Sequence, residues 1–168
     1  MRRFQIGLLI FLGIIFASSC EKDDICVEGD TPLLVIEFYD VTDTSALKEV
    51  TTLRAVGVGQ NVTVNTVTDR STVSTISIPL KTDEDATSFI LISSSAENED
   101  GIETGNVDTI TFSYNRLEDF LSRGCGLVVN YDELQGSLTA DDNNWIQDIE
   151  ITQSLVTNSD STHVKIFH

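Results

Sequence analysis

The chain has 168 residues, with 10 Lys and Arg against 27 Asp and Glu and a formal net charge of −17. So acidic a surface repels phosphate backbones, which excludes nucleic acid as a partner and disfavours anionic lipid surfaces. With 40% hydrophobic residues and two prolines, the composition suits one globular domain of ordinary size.

The chain opens with Met1-Arg2-Arg3, an apolar run from Phe4 to Phe16, and then Ala17-Ser18-Ser19-Cys20. Positive charge, about a dozen apolar residues and small residues before a processing point predict a secretory signal over residues 1–19. A bilayer-spanning helix needs about 20 apolar residues, more than this run offers. Cys20 resembles the acceptor of a bacterial lipoprotein signal, although Ala17 stands where such signals usually carry Leu. The resemblance implies that Cys20 is acylated and becomes the first residue of the mature chain, attached to a membrane through its lipid. An ordinary cleaved signal ending near Ser19 and an uncleaved anchor are the alternatives. Glu21-Lys22-Asp23-Asp24 resembles the export signal of surface lipoproteins in Bacteroidota, with Lys22, Asp23 and Asp24 as its elements. It implies an outer-membrane lipoprotein on the cell surface more than on the periplasmic face; a solvated linker is the plainer reading.

Residues 20–168 keep 8 Lys and Arg and all 27 acids, a formal charge of −19. With Cys20 acylated, Cys26 and Cys125 form the remaining pair, and an exported chain favours a disulfide between them. Two free thiols are an alternative, whereas two cysteines without a nearby His make a poor zinc site. Residues 20–30 read as an acidic linker and residues 31–168 as the folded domain.

Strand signals fill that domain. Leu33–Tyr39 follows Pro32 and is apolar and partly β-branched. Thr51–Val58 alternates less cleanly, Asn61–Thr68 alternates valine with polar residues at period two until a slip at Val67, Val73–Leu80 offers Val73, Ile76, Ile78 and Leu80, and Ser88–Ser93 is a short continuous apolar run. Thr109–Tyr114 alternates cleanly, with Ile110, Phe112 and Tyr114 on one face. Leu127–Tyr131, Gly136–Ala140, Trp145–Val156 and His163–His168 complete nine or ten strands, with a bulge or a helical first turn near Asp148. Asn115–Ser122, with Asn115 at the cap and Glu118 three residues on, predicts one or two helical turns. Lys81–Ala86 and Ser94–Asn106 read as mobile loops. Short strands without a βαβ rhythm predict an all-β fold, a single antiparallel β-sandwich of Ig-like or similar type.

Cys20 with Cys26, Phe38-Tyr39-Asp40, Arg123-Gly124-Cys125-Gly126 and the closing His163–His168 resemble an uncharacterised family of flavobacterial lipoproteins, a domain of unknown function. The resemblance spans essentially the whole chain and implies lineage and location, with no activity to carry over.

Few residues suggest chemistry. His163 and His168 are the bases of ordinary pKa near neutrality, and they read as a strand start and a solvated tail. There is no Gly-x-Ser-x-Gly elbow, zinc spacing or phosphate loop, so the expectation is a non-catalytic protein without cofactor. Glu97–Glu103 and Asp141-Asp142-Asn143-Asn144 are rich in oxygen ligands and are candidate calcium clusters, although turns use the same residues. Tyr39 and Trp145, beside acidic turns, are the aromatics placed to stack on a sugar. A binding module for an envelope or extracellular protein is the leading expectation; a carbohydrate-binding accessory protein, a structural envelope component and a hydrolase using paired carboxylates are the alternatives.

Overall fold

The strand that carries the alternation of Ile110, Phe112 and Tyr114 extends beyond it in both directions, to Asn106 and to Ser122. The computed structural model describes residues 30–122 and 124–168. Among them are nine strands: β1 (Leu33–Tyr39), β2 (Val50–Gly57), β3 (Ser71–Val73), β4 (Thr75–Pro79), β5 (Ala86–Ser93), β6 (Asn106–Ser122), β7 (Gly126–Leu138), β8 (Asp148–Ile151) and β9 (Val164–Phe167). They form a four-stranded sheet ordered β4-β1-β9-β8 and a five-stranded sheet ordered β3-β2-β5-β6-β7. The predicted all-β sandwich is what the chain folds into.

One pairing departs from the antiparallel expectation. β9 lies parallel to β1, with Ile36 opposite Val164 and Tyr39 opposite Phe167. Parallel neighbours require a long crossover, and here nearly the whole domain lies between the two strands. Inward residues of the two sheets make one core: Leu34, Ile36, Phe38, Ile78 and Ile166 face Leu53, Phe89, Leu91, Ile110 and Phe112. Tyr114 and Tyr131 meet edge to face at 4.8 Å, and their hydroxyls donate to the carbonyls of Lys81 and Leu80. These bonds satisfy two phenols that would otherwise be costly to bury.

Several local expectations are corrected. Asn115–Ser122 is not helical; it is the outer half of β6, paired with Gly126–Asp132 of β7. A capping box without an amphipathic run cannot match a hydrogen-bonded ladder to a β-rich partner such as Leu127-Val128-Val129. The Asn115 side chain accordingly donates to Glu133 at 2.8 Å, across the ladder. Leu127–Tyr131 and Gly136–Ala140 belong to one strand, bent where Glu133 (φ 53°) and Leu134 form a bulge opposite Tyr114. Val73–Leu80 divides at Ser74 between the two sheets. Asn61–Thr68 makes turns and a single bridge, Thr63 to Val56. Of Trp145–Val156, Asp148–Ile151 is the regular strand, and Ile146 ahead of it is a core residue.

The sandwich has two unlike ends. At one, Ser93 pairs with Asn106 and the loop between them closes the sheet; the turn after β7, Trp145 and the C-terminal His168 lie on the same side. At the other, the β6–β7 hairpin runs on to Ser122, sixteen residues from Asn106 and roughly 50 Å if straight. The described chain begins on that second side, where the Thr31 hydroxyl accepts from Val129 N of the hairpin at 3.4 Å.

Candidate functional site

The most organised polar cluster is built on the Ser94–Gly105 loop. Glu103 Oε1 accepts from three backbone amides, Gly105 N (2.9 Å), Ala96 N (3.0 Å) and Thr104 N (3.1 Å). Glu103 Oε2 accepts from the Ser95 hydroxyl at 2.8 Å and faces Arg54 Nη1 at 3.6 Å and Arg70 Nη2 at 3.5 Å. Burial alone would raise this carboxyl, but the amides of Gly105, Ala96 and Thr104 with Ser95 outweigh it and hold it down at about 2. Arg70 also donates to Glu97 at 2.6 Å and to Ser95 Oγ at 3.0 Å, and Arg54 and Arg70 both reach Asp69. The hydrogen bond to Glu97 leads in raising the Arg70 guanidinium above its ordinary value. The cluster ties this loop to β2 and to the turn before β3.

Beyond that brace the loop closes on itself. Asn98 Oδ1 accepts from Asp100 N and Ile102 N, and Asn98 N donates to Ile102 O. A β-carbon on Gly105 would lie 2.6 Å from Ile92 Cγ2 and 2.8 Å from Ser93 O, so the loop enters β6 through a gap that glycine alone fits. The segment is hydrogen-bonded throughout by its own polar residues, with Glu99, Asp100 and Ile102 outward. Ile102 is 60% exposed.

The neighbouring turn Asp141–Asn144 is committed to its own backbone. Asp141 Oδ1 accepts from Asn143 N, and Asn144 Oδ1 accepts from Asp141 N. Asn144 Nδ2 donates to Asp108 Oδ1 at 3.1 Å, while Asp108 Oδ2 accepts from Ile146 N at 2.8 Å. Asp108 is fully buried, and the sequence reading missed it as the organiser of this turn. A lone Asp on the apolar face of a strand was the available signal. Among the described residues, no three His, Cys, Asp or Glu side chains come together as a metal site.

Neither candidate aromatic is a free platform. Trp145 is half-buried, donates its indole N–H to Leu91 O at 3.3 Å and meets His168 edge to face at 5.5 Å. Tyr39 packs on Phe167, carries Lys165 over its ring at 5.0 Å and donates its hydroxyl to Glu37. His168, expected as a solvated tail, is half-buried and docked: Lys48 Nζ donates to its carbonyl at 2.7 Å, and burial lowers its pKa. His163 is fully buried, with Nδ1 accepting from Val35 N at 3.1 Å, so Nε2 carries the proton and lacks a partner. Burial also lowers its pKa and keeps it neutral. Both imidazoles hold the C-terminal strand in place.

A groove of about 370 Å³ opens where β3 passes into β4, lined by Thr66, Val67, Thr68, Ser71 and Val73 among others. Hydroxyls and valines at its wall offer no acid or base. Cys125, in the hairpin turn, is disulfide-bonded. Cys20, Lys22, Asp23, Asp24 and Cys26 lie outside the described residues.

The model of the Family of unknown function DUF6452 matches residues 52–168, well over half of the chain. The chain belongs to that family. The DUF6452 match takes in the Arg54–Arg70–Glu103 cluster, the hairpin with Cys125 and the docked His168, and begins after β1. No curated protein and no solved structure matches the chain.

Proposed function

We propose that this DUF6452 protein is an outer-membrane lipoprotein of flavobacterial type, anchored through Cys20 and acting as a non-catalytic binding module for an envelope or extracellular protein. The observation that carries the reading is the braced Ser94–Gly105 loop. A long surface loop is ordinarily mobile, and ordering it on binding is costly. Here two arginines and a carboxylate with pKa near 2 hold it in one shape, with Glu99, Asp100 and Ile102 outward. An exposed apolar residue ringed by acids suits a partner surface with an apolar pocket and a basic rim.

The two ends of the sandwich support the same arrangement. The chain enters beside the hairpin, so a lipid on Cys20 leaves the braced loop on the outward side. Cys26 is the partner we assign to Cys125, since an acylated Cys20 has no thiol to give. The resemblance of Lys22-Asp23-Asp24 to a surface-export signal supports display of the module on the cell surface. Sugar binding draws less support, because both candidate aromatics are covered on at least one face.

Site-specific photo-crosslinking on intact cells tests this reading. A crosslinker at Ile102 should yield a discrete adduct that one at Ser137, on the hairpin's flank, does not. The same yield from both positions, or adducts from neither, would contradict a partner site on this loop.

A further inference from the structure

The far end of the β6–β7 hairpin brings three exposed large apolar side chains close together. Phe120 is 62% exposed, Leu127 63% and Leu121 42%. Phe120 and Leu127 are cross-strand partners and share one face, and Leu121 follows them as the extra residue where the register of β6 and β7 shifts. At the end of the hairpin Ser122 Oγ accepts from Cys125 N at 3.0 Å, and Gly126 takes a φ of 76°. A solvated hairpin of an exported protein has no use for three large apolar side chains at its tip.

A hydrogen bond and the disulfide at Cys125, taken with the anchor proposed above, say what covers them. Thr31 is held against Val129, so a lipid on Cys20 is at most eleven residues away along the chain, no more than about 40 Å fully extended. The disulfide at Cys125 shortens that leash: with Cys26 as partner, six residues and the disulfide itself separate the lipidated position from the hairpin turn, about 27 Å at most. The tip cannot drift far from the membrane that holds the acyl chains.

We propose that the tip inserts into that membrane, with Phe120, Leu121 and Leu127 at the boundary between headgroups and acyl chains. The inference rests on the lipid anchor proposed above. Interfacial elements of this kind reach about 5–10 Å into the bilayer. Asp119 lies three residues back from Ser122, roughly 10 Å along the strand, which leaves it and Glu118 among the headgroups. Tip and lipid together form a two-point attachment. They stand the sandwich upright with the braced loop outward, where a lipid leash alone would let it tumble. Three exposed side chains are too small a surface to overcome a charge of −19 without the anchor, so the tip follows the lipid to the membrane and does not recruit the protein by itself.

The test uses the full mature chain, acylated, on phosphatidylcholine vesicles containing brominated acyl chains. Phe120→Trp places an indole at the tip, Ile102→Trp places one on the distal loop, and the unsubstituted protein gives the Trp145 background. The Phe120→Trp indole should shift to the blue and lose emission to the brominated chains, while the Ile102→Trp indole keeps both its colour and its intensity. An unacylated Cys20→Ser chain carrying Phe120→Trp should show neither change. Protein that floats with the vesicles, carries acyl mass on Cys20 and leaves the Phe120→Trp indole unquenched would overturn the insertion alone. Protein without acyl mass on Cys20 that fails to float would overturn the anchor, and the insertion with it.

Discussion

Replacing Glu103 with Gln isolates the charge that braces the distal loop. An amide oxygen can keep the place of Oε1 and accept from Gly105, Ala96 and Thr104. The amide nitrogen then occupies the place of Oε2 and points its hydrogens at the Ser95 hydroxyl and the two guanidinium groups. The native carboxyl sits at about 2 against an ordinary 4.5. At about 1.4 kcal/mol per pH unit that interval sets a ceiling near ~3 kcal/mol. The Glu103 side chain is 22% exposed and the arginines 20% and 30%, and solvent screening brings the expected cost of Glu103→Gln to about 2 kcal/mol at pH 7. The pH dependence follows from the direction of the shift. A folded pKa below the unfolded one means that the unfolded chain binds the proton first as pH falls. The stabilisation is therefore whole above pH 4.5 and is lost toward pH 2. Urea unfolding of both proteins should give a stability difference at pH 7 that shrinks to less than half by pH 3. An equal difference at both pH values, or one below ~0.5 kcal/mol at pH 7, would refute the charged brace.

Gly105→Ala should cost about 2 kcal/mol in thermal unfolding, because its β-carbon overlaps Ile92, Ser93 and Ser95 and the backbone must move. Asp108→Ala should cost about 2 kcal/mol by leaving Ile146 N–H unpaired and taking one of its two acceptors from the Asn144 amide, which keeps Thr139 O; in a double-mutant cycle with Asn144→Ala the two losses should fall short of additive. His163 is buried neutral with its pKa depressed, so the unfolded chain takes up the proton first and stability should fall as pH drops below the ordinary 6.5. In His163→Gln, unfolding measured between pH 7 and pH 5 should show a shallower dependence than the native chain, the remainder belonging to His168, whatever the substitution costs at pH 7.

The strands that were legible in the sequence are those whose two faces differ. Ile110, Phe112 and Tyr114 are buried between threonines and a serine, and alternation of that kind is a direct record of one side facing a core. Leu33–Tyr39 and Ser88–Ser93 could be read because central strands are apolar on both sides. The outer half of β6 could not, because beyond Asn115 the hairpin leaves the sandwich and has no buried face to impose a period. A cap-like Asn115 and Glu118 then suggested a helix where pairing with β7 decides the outcome. The parallel seating of β9 against β1 was equally hidden, since local sequence does not record which distant strand a segment pairs with. Of the candidate site, the acidic loops were visible as composition. Their bracing was not, because Arg54 and Arg70 reach Glu103 across 49 and 33 residues of chain.

Mass spectrometry of the unreduced N-terminal peptide from protein extracted from its own membrane tests the central claim most directly. A tethered module predicts a chain that begins at Cys20, carries acyl chains there, and is joined through Cys26 to the peptide containing Cys125. A disulfide from Cys125 to Cys20, or an N-terminus without lipid, would contradict the anchor and the orientation drawn from it.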